Sequence, residues 1–381
     1  MKIVFFCWEF PPVGSGIGRY VAEMSSALRD IGHQTVIATS RAAGCPEREE
    51  SGSGVIYRCF DRADMRSKRV AERVLDIARR HGADWIEGAD HWGECAPLLR
   101  LRNRPPVVVK MHYNDVLKTP RHAQAWRPWQ KMMIDLACVR QWRSIRAEQD
   151  CLEHADILLA SCQKIMDEAE RQRLKLPKFR TVAPNPIPSL PHWENREADS
   201  PTLLMVGRCD IGKGIGYLPK LLSELAPDFP GLRLEIRGDD SYARGLGSMR
   251  AWLERQLGPL MRHVRFLDFL DREALDDAYR RAWVVMVPSR WDTFPQVVLE
   301  AMVRKKAIAA SPFGGMPEML ADTSCAVAEP SSHAFAGAIA RFLDDPARRR
   351  QAGESACRRA AQAYAPAQVA RDYVEFISAH L

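Results

Sequence analysis

No two of the ten cysteines stand in a C-x-x-C pair. That removes the usual signatures of a zinc site, a dithiol redox motif and a disulfide framework. Cys7, Cys138 and Cys209 fall instead in apolar strand or helix stretches, where cysteine serves as a small hydrophobe in a reducing cytoplasm. No apolar run approaches the roughly 18 residues that a membrane span needs. The apolar run at the N-terminus, MKIVFFCWEFPP, leads into prolines and a glycine-rich turn and not a cleavage site, so no secretory leader is expected. Dense Lys/Arg blocks with interleaved aromatics are also missing, which argues against nucleic acid as a partner. The net charge of +7 is a modest excess of 55 Lys and Arg over 48 Asp and Glu. It suits a slightly basic surface without a partner, or one that favours anionic phosphates or an anionic membrane surface.

What is present is a regular alternation of strand and helix. Domains usually hold about 100–200 residues, so the 381 residues suggest two α/β domains. Residues 2–7 form an apolar run of buried-strand length. The turn Gly14-Ser15-Gly16-Ile17-Gly18 follows, and then Ile17, Val21, Met24 and Leu28 recur at helical spacing. Gly32 ends that helix and 34–39 reads as the next strand, completing a βαβ unit. A helix over 69–81 and strands over 85–87, 107–111, 157–160 and 181–183 continue the pattern. Pro184, Pro186, Pro188, Pro191 and Pro201 then mark a stretch that resists helix and ladder, an interdomain linker over 187–200. The pattern restarts with strands over 202–206, 232–237, 264–267, 283–288 and 307–310, and 332–381 reads as helical. The expected domains are 1–186 and 201–366, with a final helix over 367–381.

The segment Pro288-Ser289-Arg290-Trp291-Asp292-Thr293-Phe294-Pro295-Gln296-Val297-Val298-Leu299-Glu300-Ala301-Met302 follows a strand end, where α/β sheets bind ligands. Thr293 and Gln296 have capping-box spacing, so a helix start is expected at Thr293. The first-turn N–H groups of such a helix can meet oxygens of an anionic or hydroxylated ligand. Gln296 and Glu300, four apart, share a face. A capped helix with a surface glutamate explains the segment equally well when it is taken alone. Upstream, Gly207-Arg208-x4-Lys213-Gly214 sets two cations after another strand. Arginine offers a fork and lysine a point charge, and together they can neutralise a diphosphate. The N-terminal glycines are spaced G-x-G-x-G, not G-x-G-x-x-G, and no acid ends the second strand, so a dinucleotide is disfavoured.

Taken together, these segments resemble retaining glycosyltransferase family 4, the group 1 glycosyl transferases. Asp292-x7-Glu300 is similar to its E-x7-E motif, and Gly207-Arg208-x4-Lys213-Gly214 to its diphosphate clamp. The loop Pro11–Tyr20 is similar to its glycine-rich loop, His112 to its strand-end histidine, and Gly314-Gly315-Met316-Pro317-Glu318 to its G-G-x-P-E turn. Ser161 and Asn185-Pro186 match weaker positions. Two departures stand out: aspartate at 292 where glutamate is usual, and Pro295 where glycine is common. The resemblance spans nearly the whole chain and implies the GT-B fold, two facing Rossmann-like α/β domains with an interdomain cleft.

It further implies transfer of a sugar from a nucleoside-diphosphate sugar to an acceptor hydroxyl with retained anomeric configuration, in polysaccharide, lipopolysaccharide or glycolipid synthesis. His112, Arg208, Lys213 and Asp292 would take catalytic roles. Gly16, Arg208, Lys213, Asp292, Phe294, Gln296, Val297 and Glu300 would hold the donor, with Glu300 on the ribose. No metal and no cofactor is implied, because the nucleotide sugar is a co-substrate and the two cations take the charge role. The acceptor would be a sugar or a lipid-linked molecule. Segment 113–150, with Trp126, Trp129 and Trp142 beside Arg121, Arg127, Lys131, Arg140 and Arg143, reads either as ordinary packing or as contact with an anionic, lipid-linked acceptor or the inner face of the membrane. Two rival classes share the fold: a nucleotide-sugar epimerase or hydrolase, and a non-catalytic nucleotide-sugar-binding protein.

Overall fold

The computed structural model describes residues 1–13, 16–112, 117, 143–190, 193–243, 245–267 and 272–381. The chain divides into two compact units. One comprises Met1–Pro186 with Tyr364–Leu381, the other Ile187–Ala363.

The first unit is built on eight strands: β1 (Lys2–Phe6), β2 (Gln34–Ser40), β3 (Arg48–Ser51), β4 (Gly54–Phe60), β5 (Trp85–Ala89), β6 (Val107–Met111), β7 (Ile157–Ala160) and β8 (Arg180–Val182). Their order is β3-β4-β2-β1-β5-β6-β7-β8. All neighbours are parallel except the β3/β4 hairpin. The central strands are buried along their length, as expected of a parallel sheet covered by helices on both faces. The helix Lys68–His81 shows how local signals set the connections. Ser67 accepts from the Val70 N–H at its start, and Gly82 adopts a left-handed φ of 61° at its end. The β3/β4 hairpin is an addition to the expected pattern. Gly54 closes it at φ 117°, where a Cβ would lie 2.2 Å from the Thr35 carbonyl oxygen.

The C-terminal helix Pro366–Ser378 belongs to this first unit. Its Val369, Ala370, Tyr373 and Ile377 join the cluster of Ile3, Phe5, Leu28 and Trp85. Trp85 Nε1 donates to the Tyr373 hydroxyl at 2.9 Å. Burying each large apolar side chain contributes about 1.5–3 kcal/mol, enough to dock this helix firmly.

The second unit carries β9 (Thr202–Val206), β10 (Arg233–Arg237), β13 (Val264–Leu267), β14 (Val284–Val287), β15 (Ala307–Ala310) and β16 (Ala326–Val327), with a small hairpin of β11 (Tyr242–Ala243) and β12 (Gly247–Ser248). The main sheet is parallel throughout, in the order β13-β10-β9-β14-β15-β16. The proline-rich stretch is pinned within this unit. Glu197 accepts two bonds from Arg349 at 2.9 and 2.6 Å, and Trp283 Nε1 donates to the Ala198 carbonyl at 2.8 Å.

Among the described residues no helix is long and apolar enough to cross a membrane. The basic, tryptophan-bearing stretch 118–142 lies outside the described residues, as does Cys138. Cys7 and Cys209 are buried, but each lies just beyond a strand, after β1 and β9, and not within one.

Candidate active site

In each sheet the chain reverses its winding once. In the second unit it leaves β9 for β10 on one side and later returns to β14 on the other. In the first unit the same reversal separates β1 and β5. The crevice at the carboxyl ends of such strand pairs is where open α/β sheets take ligands.

The loop after β9 presents two cations, Arg208 exposed and Lys213 half-buried. Gly207 holds φ 136° and donates its N–H to the Arg237 carbonyl at 2.8 Å. Asp210 caps the following 3-10 turn by accepting from the Lys213 N–H at 2.9 Å. Gly214 holds φ 88°, and a Cβ there would lie 2.1 Å from the Pro288 carbonyl oxygen. This turn therefore presses on the loop that follows β14, and Arg290 N–H donates back to the Gly212 carbonyl at 2.8 Å. The Arg208 side chain is 66% exposed and reaches Asp210 at 3.6 Å. Lys213 Nζ donates to Asp292 Oδ2 at 2.6 Å. Burial opposes the charge on Lys213, but Asp292 outweighs it, and the ammonium pKa is raised.

The loop after β14 supplies Asp292, and the helix that follows it supplies Glu300. Gly314 holds φ 62°, and a Cβ there would lie 1.7 Å from the Asp292 carbonyl oxygen. Gly315 N–H donates to the Thr293 carbonyl at 2.9 Å. The helix begins at Gln296, with Pro295 as its cap residue and no side-chain cap bond. The expected start at Thr293 is thus corrected. Thr293 is buried, and its backbone is engaged by the Gly314-Gly315 turn. Trp291 and Phe294 are buried, so Phe294 can serve a ligand through its backbone and not its ring. Gln296 and Val297 lie half-buried in the first turn, and the Gln296 Nε2 is shielded without a hydrogen-bond partner among the described residues. Glu300 is 5% exposed, and the Tyr279 hydroxyl donates to its Oε2 at 2.9 Å. The switch point thus brings Arg208, Lys213, Asp292, Phe294, Gln296, Val297 and Glu300 onto two adjoining loops and one helix.

Gly16 and His112 stand in the other unit. Gly16 opens the helix Gly16–Asp30, and a Cβ there would meet nothing within 4 Å. Gly18 is the sterically required glycine, since its Cβ would lie 2.4 Å from the Glu9 carbonyl oxygen. His112 follows β6. Its N–H donates to Asp90 Oδ1 at 2.9 Å, and its ring lies 4.7 Å from that of Tyr20. Burial, then Lys110 and His91, lower the imidazole pKa well below 6.5, so the ring is neutral. Ser161 donates its hydroxyl to the Met111 carbonyl at 3.3 Å, and both Ser161 and Asn185 are buried.

Residues 191–359 match the family of glycosyl transferases group 1, and residues 15–186 match the glycosyl transferase 4-like domain. The chain is 26% identical over 390 residues to glycogen synthase of Mycobacterium tuberculosis, covering 91% of this chain and 87% of that protein. It is 30% identical over 340 residues to D-inositol 3-phosphate glycosyltransferase of Corynebacterium aurimucosum, covering 81% and 74%. The chain belongs to the group 1 glycosyl transferases. Its fold is the GT-B fold. The crystal structure of Anabaena HepE in complex with UDP-glucose superposes over 100% of both chains with a TM-score of 0.73 at 16% identity.

Several residues that shape this glycosyltransferase's site carried no reading from sequence. Asp210 could have been found, because an aspartate three residues before Lys213 has N-cap spacing. Tyr279 could not, since only the fold brings it to Glu300.

Two predictions arise here. Gly314→Ala forces a Cβ into the Asp292 carbonyl at a left-handed φ, which should cost roughly 1–3 kcal/mol and lower turnover by shifting Asp292. Urea unfolding and steady-state kinetics check both, and an unchanged variant would show that the turn yields freely. The second concerns acid. Below pH 6.5 the unfolded chain takes up a proton at His112 that the native state refuses. That contribution is fully present above pH 6.5 and is lost as pH falls toward the depressed native pKa. His112→Gln should therefore flatten the decline of the urea midpoint between pH 7 and 5. An equal decline in the variant would assign the acid sensitivity to other groups.

Proposed function

We propose that this glycosyltransferase moves a sugar from a nucleoside-diphosphate sugar to an acceptor hydroxyl with retention of anomeric configuration. The observation that carries the reading is the pairing of Lys213 with Asp292 across the loops that follow β9 and β14, with Arg208 on the first loop and Glu300 on the helix after the second. Arg208 and Lys213 meet the diphosphate, and they stabilise the charge that grows on it as the bond from the anomeric carbon to the phosphate oxygen breaks. Glu300, held by Tyr279, accepts from the ribose hydroxyls. Backbone N–H groups at the start of the helix Gln296–Val303 meet donor oxygens. HepE, which shares the fold, was solved with UDP-glucose, and this supports a nucleotide-sugar donor here.

The acceptor oxygen attacks the anomeric carbon on the face the phosphate leaves, and a departing phosphate oxygen takes the acceptor's proton. This front-face route needs no protein nucleophile. The acceptor is a hydroxyl of a sugar, a polyol or a lipid-linked glycan, in keeping with relatives named for glycogen and inositol phosphate. The protein works in the cytoplasm, in assembly of a polysaccharide or glycolipid.

A thermal-shift series with UDP-, GDP- and ADP-sugars tests this. The true donor at 100 times its dissociation constant should stabilise the protein by about 2.7 kcal/mol. No shift with any nucleotide sugar would remove the proposal.

A further inference from the structure

The two cations of the proposed donor site are not equivalent. Arg208 is mostly exposed and loosely paired. Lys213 and Asp292 form a close ion pair, with side chains 32% and 16% exposed. Both sides of the pair rest on fixed backbone. The Lys213 turn is wedged by Gly214 against Pro288 and tied by the Arg290 N–H to Gly212. Asp292 is wedged by Gly314 and tied through Gly315. The backbone that carries each member of the pair is therefore held in place by the loops.

We propose that Asp292 is a counter-ion that competes with the donor's diphosphate for Lys213, orienting the lysine before the donor arrives and loosening the nucleoside diphosphate after transfer. This rests on the reading of residues 208–300 as the donor site. An ammonium has three donors, so Lys213 can hold Asp292 and still offer hydrogens to a phosphate. The carboxylate nonetheless brings a negative charge beside an anionic ligand, in a partly buried place where charges are weakly screened. The result is a lysine kept in position at the expense of diphosphate affinity.

Calorimetric titration of UDP, GDP and ADP into wild type, Asp292→Asn, Asp292→Glu and Arg208→Ala tests the idea without a known acceptor. Asp292→Asn is close in shape to the native residue and leaves the backbone wedge intact. The diphosphate that binds wild type should bind Asp292→Asn about tenfold more tightly, the equivalent of about 1.4 kcal/mol. Asp292→Glu keeps the charge and should bind close to wild type, whereas Arg208→Ala should bind more weakly. Equal or weaker binding by Asp292→Asn, with Arg208→Ala still impaired, overturns the counter-ion role and leaves the donor site standing. If Arg208→Ala also binds as wild type does, the donor-site reading fails and the counter-ion role falls with it.

Discussion

Arg208→Ala should lower turnover by a factor of about 100 or more, the usual consequence of losing a donor aimed at developing charge. The argument starts from the strand. β9 ends at the point where the sheet reverses its winding, and Gly207 turns the chain there through a φ open mainly to glycine. The next side chain emerges with 66% of its surface in solvent and one loose partner, Asp210 at 3.6 Å. A guanidinium left this free contributes little to stability, because exposed pairs are worth about 0–1 kcal/mol. Its removal should therefore leave the unfolding midpoint nearly unchanged. The loss appears in kcat, because the phosphate charge that arginine meets grows as the glycosidic bond to phosphate breaks. Wild-type kinetics in a folded Arg208→Ala protein would withdraw the assignment.

Glu300→Gln should weaken the free nucleoside diphosphate by about 10- to 100-fold, the range that about 1.5–3 kcal/mol for hydrogen bonds to a charged group implies. Glu300 is nearly buried on the helix that follows the β14 loop, and its Oε2 already accepts from Tyr279. Glutamine keeps the length and can still accept from that hydroxyl, so the packing survives. What is lost is a carboxylate able to accept from two vicinal ribose hydroxyls. The measurement is binding of the diphosphate product without sugar or acceptor. If its affinity held while only sugar selectivity changed, Glu300 would belong to the sugar and not the ribose.

The interior of both sheets was legible because buried parallel strands read as uninterrupted apolar runs. Residues 107–111, 157–160, 202–206 and 307–310 are strands with those limits, as is 264–267 at the sheet edge. The edge strand β3 was not legible, because Arg48-Glu49-Glu50-Ser51 is polar on an exposed edge and carries no apolar period. The helix start near Thr293 misled for a different reason. Capping spacing is a local signal, and here the Gly314-Gly315 turn, more than twenty residues away, takes the Thr293 backbone instead. The candidate site divides in the same way. Arg208, Lys213, Asp292 and Glu300 stood out through spacing at strand ends. The 2.6 Å contact between Lys213 and Asp292 joins residues 79 apart and had no local trace. Nor did the grip of Tyr279 on Glu300.

The central claim is that the loops after β9 and β14 hold a nucleoside diphosphate. Calorimetric titration of UDP, GDP and ADP into wild type and into an Arg208→Ala/Lys213→Ala double variant tests it most directly. The account predicts saturable binding of one of the three to wild type and its loss from the double variant, with the variant still cooperatively folded. Binding of equal strength to both proteins, or to neither, would contradict it.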